Sequence, residues 1–103
     1  MLSRQRHAME FQVTFTGDHD GQGLGTNLCL SGCRIERTDT HIERRAVLTL
    51  SLYPSPEDSP IIVDVAVVRW SSELACGVEF LTMSLEAQQR LERYIAASAL
   101  RQT

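Results

Sequence analysis

The stretch Cys76-Gly-Val-Glu-Phe-Leu-Thr-Met-Ser-Leu-Glu-Ala-Gln-Gln-Arg-Leu-Glu-Arg-Tyr94 changes its hydrophobic period part-way, and that change decides the fold class. In Cys76–Leu81, Val78 and Phe80 align as alternate residues, the pattern of a half-buried strand. From Ser84 the apolar residues Ala87, Leu91, Tyr94, Ile95 and Ala99 fall on one helical stripe. Ser84 suits an N-cap, and Glu86 stands in the first turn, where a helix favours negative charge. Glu86 and Arg90 form an i,i+4 pair in the favourable order. The spacing predicts a helix over Ser84–Leu100.

Everything upstream reads as strand and turn. Phe11, Val13 and Phe15 alternate with polar residues. Gly17–Gly23 is dense in turn formers and reads as a loop. Leu24–Leu30 is a second strand, broken by Ser31-Gly32, and Cys33–Glu36 continues as a third. Thr38–His41 turns the chain. Ala46–Tyr53 aligns Leu48, Leu50 and Leu52. Pro54–Pro60 is a loop no strand can cross. In Ile61–Trp70, Ile61, Val63, Val65 and Val67 share one face, and Ile62, Ala66, Val68 and Trp70 with Asp64 the other; the near-continuous apolarity suggests a strand buried on one face and covered on much of the second. Ser71–Glu73 turns again. About six short strands at this spacing predict an all-β fold, a closed or nearly closed antiparallel barrel, with the C-terminal amphipathic helix over its mouth or side. Closure removes exposed strand edges. The expected layout is one domain: a flexible arm over 1–9, the barrel over 10–83 and the helix over 84–100.

Composition narrows the function. The chain has 103 residues and a net charge of −3, which argues against a duplex nucleic-acid binder. All ten of its Lys and Arg positions are Arg, which we read as compositional bias. Three cysteines, an odd number with no apolar leader before them, suggest a reducing compartment and hence the cytoplasm. No apolar run approaches the ~18 residues of a membrane span.

Five pieces then occur in order: an arm with Arg4 and Arg6, the segment Asn27-Leu-Cys29-Leu-Ser-Gly32, Val67-Val-Arg-Trp70, Gly77-Val-Glu-Phe80, and Leu91-Glu-Arg-Tyr94. This order resembles the PilZ domain, a bacterial receptor for the second messenger cyclic di-GMP. That family carries Arg-x-x-x-Arg before the first strand and Asp/Asn-x-Ser-x-x-Gly on the second. The resemblance implies a β-barrel receptor that binds cyclic di-GMP through Arg4, Arg6, Asn27, Cys29 and Gly32, and works on a protein effector in motility, pilus or exopolysaccharide control. It implies no catalysis and no cofactor beyond that ligand. Two features depart from the pattern, the second arginine of the arm and the motif Ser. Leu2 stands four residues before Arg6 and Ala8 four after Arg4, and Cys29 replaces Ser. The alternative reading is a protein-interaction module of the same fold that has lost its nucleotide.

The chemistry suits the ligand independently. A guanidinium fork matches guanine O6 and N7, and Arg also stacks on purines while pairing with phosphate. Asn27 offers an amide oxygen to guanine N–H groups. Gly32 would let a ligand approach the backbone. Arg34 could support a phosphate because it follows the motif. Trp70 reads as core or barrel-rim packing. The cysteines lack the paired spacing of a zinc site, and Asp18-His-Asp20 opens like a calcium loop but lacks the closing Glu. Gly21-Gln-Gly-Leu-Gly25 lacks the spacing of a dinucleotide fingerprint, and no nucleophile elbow is present.

Overall fold

The computed structural model describes residues 9–101, without the side chains of 99–101. Its strands are β1 (Phe11–Gly17), β2 (Gly21–Cys29), β3 (Gly32–Glu36), β4 (Val47–Tyr53), β5 (Ile61–Ser71) and β6 (Ala75–Thr82), followed by the helix α1 (Leu85–Arg101). The strands close into a barrel in the order β1-β2-β3-β6-β5-β4, antiparallel throughout. The expected all-β barrel with a C-terminal helix is therefore observed.

Alternation builds the interior. Phe11, Val13 and Phe15 of β1, Leu48, Leu50 and Leu52 of β4, Ile35 of β3 and Val78 of β6 all point inward and are buried. β2 begins at Gly21, inside the stretch expected to be a loop. Its glycines leave room for the aromatic side chains of β1: Phe11 pairs with Gly25, and its ring occupies the space a Cβ there would fill. The true turn is Asp18–Asp20. Its polar groups cap backbone, with Asp18 Oδ2 accepting from Val47 N at 2.9 Å and His19 Nε2 accepting from Glu43 N at 3.3 Å.

The facing expected for Ile61–Trp70 changes part-way. Ile61 and Val63 face the core, but so do Ala66 and Val68, while Val65 and Val67 are only half-buried. A bulge causes the change of phase, because the pairing register shifts between Leu48 and Leu50 and again between Val65 and Ala66. Thr49 Oγ1 donates to Asp64 O at 2.9 Å beside it. A further shift between Val68 and Trp70 leaves Arg69 and Trp70 both exposed. An extra residue in one strand flips the facing of everything after it.

The helix starts as expected. Ser84 Oγ accepts from Ala87 N at 3.0 Å. Ala87 and Leu91 are buried, and Tyr94 stands edge-on to Phe11 with ring centroids 6.3 Å apart. Arg90 does not serve Glu86. It donates to Pro60 O at 2.9 Å and Ser59 O at 2.6 Å, fastening α1 to the β4–β5 loop. Carbonyls held in place by a proline-rich loop are better partners than a mobile carboxylate one turn away. Ala99 of the expected stripe lies outside the described side chains.

Candidate ligand-binding site

Three irregularities of the barrel converge on the outer face of β2, β3, β6 and β5. The first is in β2, where the register with β3 shifts between Thr26 and Cys29. Asn27 sits there at φ 55°, in the left-handed region that Asn tolerates better than most residues, and its side chain is exposed. The second is the tight turn Leu30-Ser31, which joins the paired residues Cys29 and Gly32. The third is the shift in β5 that turns Arg69 and Trp70 outward together.

Between them lies an open cavity of about 390 Å³, bordered by Asn27, Cys29, Gly32, Arg34, Trp70 and Glu79 among others. Its floor is a row of residues paired across strands: Arg34 with Gly77, and Gly77 with Trp70. The indole reaches across the bare Cα of Gly77. A Cβ there would overlap Nε1 and lie 2.6 Å from Cε2. This brings Trp70 under Arg34, whose Cζ stands 5.2 Å from the ring centroid, a cation–π distance.

Each cavity arginine is held by an acid. Arg34 Nε lies 2.9 Å from Glu36 Oε2, and Arg69 Nε lies 2.7 Å from Glu79 Oε1. Glu36 Oε2 also accepts from Thr26 Oγ1 at 3.0 Å. Cys29 is an exposed thiol, with its Sγ 3.3 Å from Ser31 Oγ. That hydrogen bond holds the thiol below its ordinary pKa. Partial burial opposes the shift, and the backbone at Ser31 and Gly32 assists it. Burial pushes Cys33 far up and Cys76 up to about 11, so neither is a ready nucleophile.

Of the residues expected from sequence, Asn27, Cys29 and Gly32 border this cavity together, and so does Arg34. Arg4 and Arg6 lie outside the described residues. Gly32 also has a packing role. A Cβ at Gly32 would overlap the Val78 carbonyl oxygen, so its missing side chain serves the close approach of β3 to β6. Of the two packing roles expected for Trp70, the rim is the one observed, since its ring lies across Gly77 outside the core. Trp70 is 40% exposed, enough to offer its ring to a ligand. Arg69 and Glu79 were missed. The adjacent pair Arg69-Trp70 carried a signal, because under plain alternation one of them had to enter the core, and only a bulge lets both stay out.

The chain matches the family model described as PilZ domain over residues 3–97. The chain belongs to the PilZ domain family. PilZ domains are cyclic di-GMP-binding domains that work by binding and adapting, not by catalysis. No curated protein and no solved structure matches the chain. Among the described residues of this PilZ domain, no group of three or more His, Cys, Asp or Glu side chains is placed to hold a metal ion. No helix among them is long and apolar enough to cross a membrane.

Proposed function

We propose that this PilZ domain binds cyclic di-GMP at the outer cavity of β2, β3, β6 and β5 and relays its occupancy to a protein effector in motility, pilus or exopolysaccharide control. The observation that carries the reading is the meeting of Asn27, Cys29 and Gly32 with Arg34 and Trp70 at one cavity. The Arg34–Trp70 pair offers a flat surface for a purine, where base–aromatic stacking contributes about 1–3 kcal/mol. Arginine forks meet phosphate or the O6/N7 edge of guanine. Asn27 accepts from guanine N–H groups. Arg4 and Arg6, on the arm before β1, supply further charge. The domain acts in the cytoplasm, where Cys29, Cys33 and Cys76 remain reduced thiols.

Isothermal titration with cyclic di-GMP tests this. Heat is expected at ligand on the order of tens of micromolar or below. Arg6→Ala should weaken binding by about 1.5–3 kcal/mol, the range for a charge-assisted hydrogen bond, without lowering the melting temperature. Cys29→Ser should tighten it, because a hydroxyl is the better hydrogen-bonding group. A folded protein that gives no heat ends the proposal. The second reading, an interaction module without nucleotide, draws on the exposed Leu30 and Leu81 in the groove between the β2–β3 turn and α1. A partner that binds equally with and without cyclic di-GMP would favour it.

A further inference from the structure

Two carboxylates at the edge of an anion site look misplaced. Glu36 and Glu79 neutralise Arg34 and Arg69, the described arginines that border the cavity, and a dianionic ligand must approach all four charges. Stability does not explain the pairs. All four side chains are more than a third exposed, and exposed ion pairs contribute little to folding.

Both contacts are made at the same nitrogen, although only Arg69 Nε donates a hydrogen bond, to Glu79 Oε1 at 2.7 Å, while Arg34 and Glu36 meet as a charge pair at 2.9 Å. Each acid takes the Nε of its arginine, the nitrogen nearest the chain. Among the described residues, no hydrogen bond engages the terminal nitrogens of Arg34 or Arg69. A guanidinium tied at Nε keeps its outer nitrogens free for a bidentate anion and loses the freedom to swing away. Glu36 is itself anchored, since its Oε2 also accepts the Thr26 hydroxyl from the neighbouring strand. The chain of contacts therefore runs from Thr26 through Glu36 to Arg34 and on to the indole of Trp70, which lies across Gly77. On the other side Glu79, next to Gly32 in the register, holds Arg69 from across β5 and β6.

We propose that Glu36 and Glu79 are positioning residues, which hold Arg34 and Arg69 by their inner nitrogens so that the outer nitrogens face an anionic, purine-bearing ligand. The inference rests on the cavity being the cyclic di-GMP site and says how that site is prepared before the ligand arrives. It also makes a counter-intuitive demand. Removing a negative charge beside an anion site should weaken binding, because each arginine must then be immobilised during association.

The test is Glu36→Gln and Glu79→Gln, each compared with the wild-type domain by cyclic di-GMP titration at low and moderate salt. Trp70 is the only tryptophan of the chain, so its fluorescence reports the cavity directly. Each variant should melt with the wild type and bind about threefold to tenfold more weakly, the equivalent of one immobilised side chain. In ligand-free Glu36→Gln, the Arg34 methylene resonances should lose the upfield shift imposed by the Trp70 ring, a change that loss of bulk stability would not produce. Wild-type binding with equal or tighter binding by both variants means the carboxylates merely screen the site, and it overturns this inference alone. Absence of binding by the wild type overturns the proposed function and this inference with it.

Discussion

Replacing Gly77 by alanine tests the floor of the cavity without touching a charge. A Cβ at this position would overlap Trp70 Nε1 and stand 2.6 Å from Cε2 and 2.7 Å from Cδ1. Ordinary carbon contacts lie near ~3.5–4.0 Å, so the overlapped indole edge must move by at least about 1.5 Å, and the ring swings off the strand. Arg34 already stands 5.2 Å from the ring centroid. A sideways swing of that size takes the ring out from under the guanidinium and forfeits a cation–π contact that contributes about 0.5–1 kcal/mol at an exposed site. Alanine offsets this loss, because it restricts the unfolded chain by about 0.4–1 kcal/mol at a backbone it can adopt. Gly77 is such a position, since its φ is not positive. The two effects nearly cancel in stability but not in binding, where the displaced ring forfeits a stacking surface of about 1–3 kcal/mol. The expected result is a melting temperature within a few degrees of wild type, a red-shifted emission from the lone tryptophan, and cyclic di-GMP affinity reduced about tenfold. Unchanged emission and affinity would refute the placement of the indole over Gly77.

Gly32→Ala should behave oppositely. Its Cβ meets the Val78 carbonyl oxygen, which is backbone and cannot swing away. Overpacking of about 1–3 kcal/mol should lower the melting temperature by roughly 4–12 °C, and a melt on the wild-type curve would contradict the close β3–β6 approach. Asn27→Gly keeps the φ of 55° accessible and should preserve stability while weakening ligand binding. Asn27→Ala, forced into the left-handed region, should lose about 1–2 kcal/mol in addition, and equal melts for the two variants would refute the strain argument. A thiol reagent should label Cys29 alone in the folded protein, and at a pH below the ~8.5 of an ordinary thiol, with Cys33 and Cys76 reacting only on unfolding. Labelling of more than one thiol in native protein would contradict the burial of the other two. Those buried thiols also set an alkaline limit. Cys76 ionises at about 11 when folded and Cys33 is raised further, while unfolded thiols ionise near ~8.5. Stability should be constant below that lower value and decline as pH rises from it towards 11, measured by urea unfolding; a flat profile would show that the thiols ionise alike in both states.

Strand-sized alternation, proline-bounded loops and the switch of period at Ser84 were enough to read the barrel and its helix. They report local geometry, and the burial of Phe11, Leu50 and Leu91 agrees with them. Asn27, Cys29 and Gly32 were legible as a group because they lie within one short segment. Trp70 and Arg69 were not. Their exposure depends on an irregular pairing of β5 with β6, and register between strands distant in sequence is set by packing across the barrel. The reason for Gly32 was hidden similarly, because the atom that excludes a side chain there belongs to Val78 on another strand.

Hydrophobic period and turn chemistry, both properties of neighbouring residues, determined the fold class from sequence alone, and the motif segment was read by its resemblance to the PilZ pattern. Only the closed barrel decided that a tryptophan would cross a glycine to lie beneath Arg34, and that Glu79 would hold Arg69 by its inner nitrogen from the neighbouring strand. Those contacts join β3 to β5 and β5 to β6, or depend on where bulges fall. The energy of a register is summed over a whole sheet, and no short window of sequence contains it.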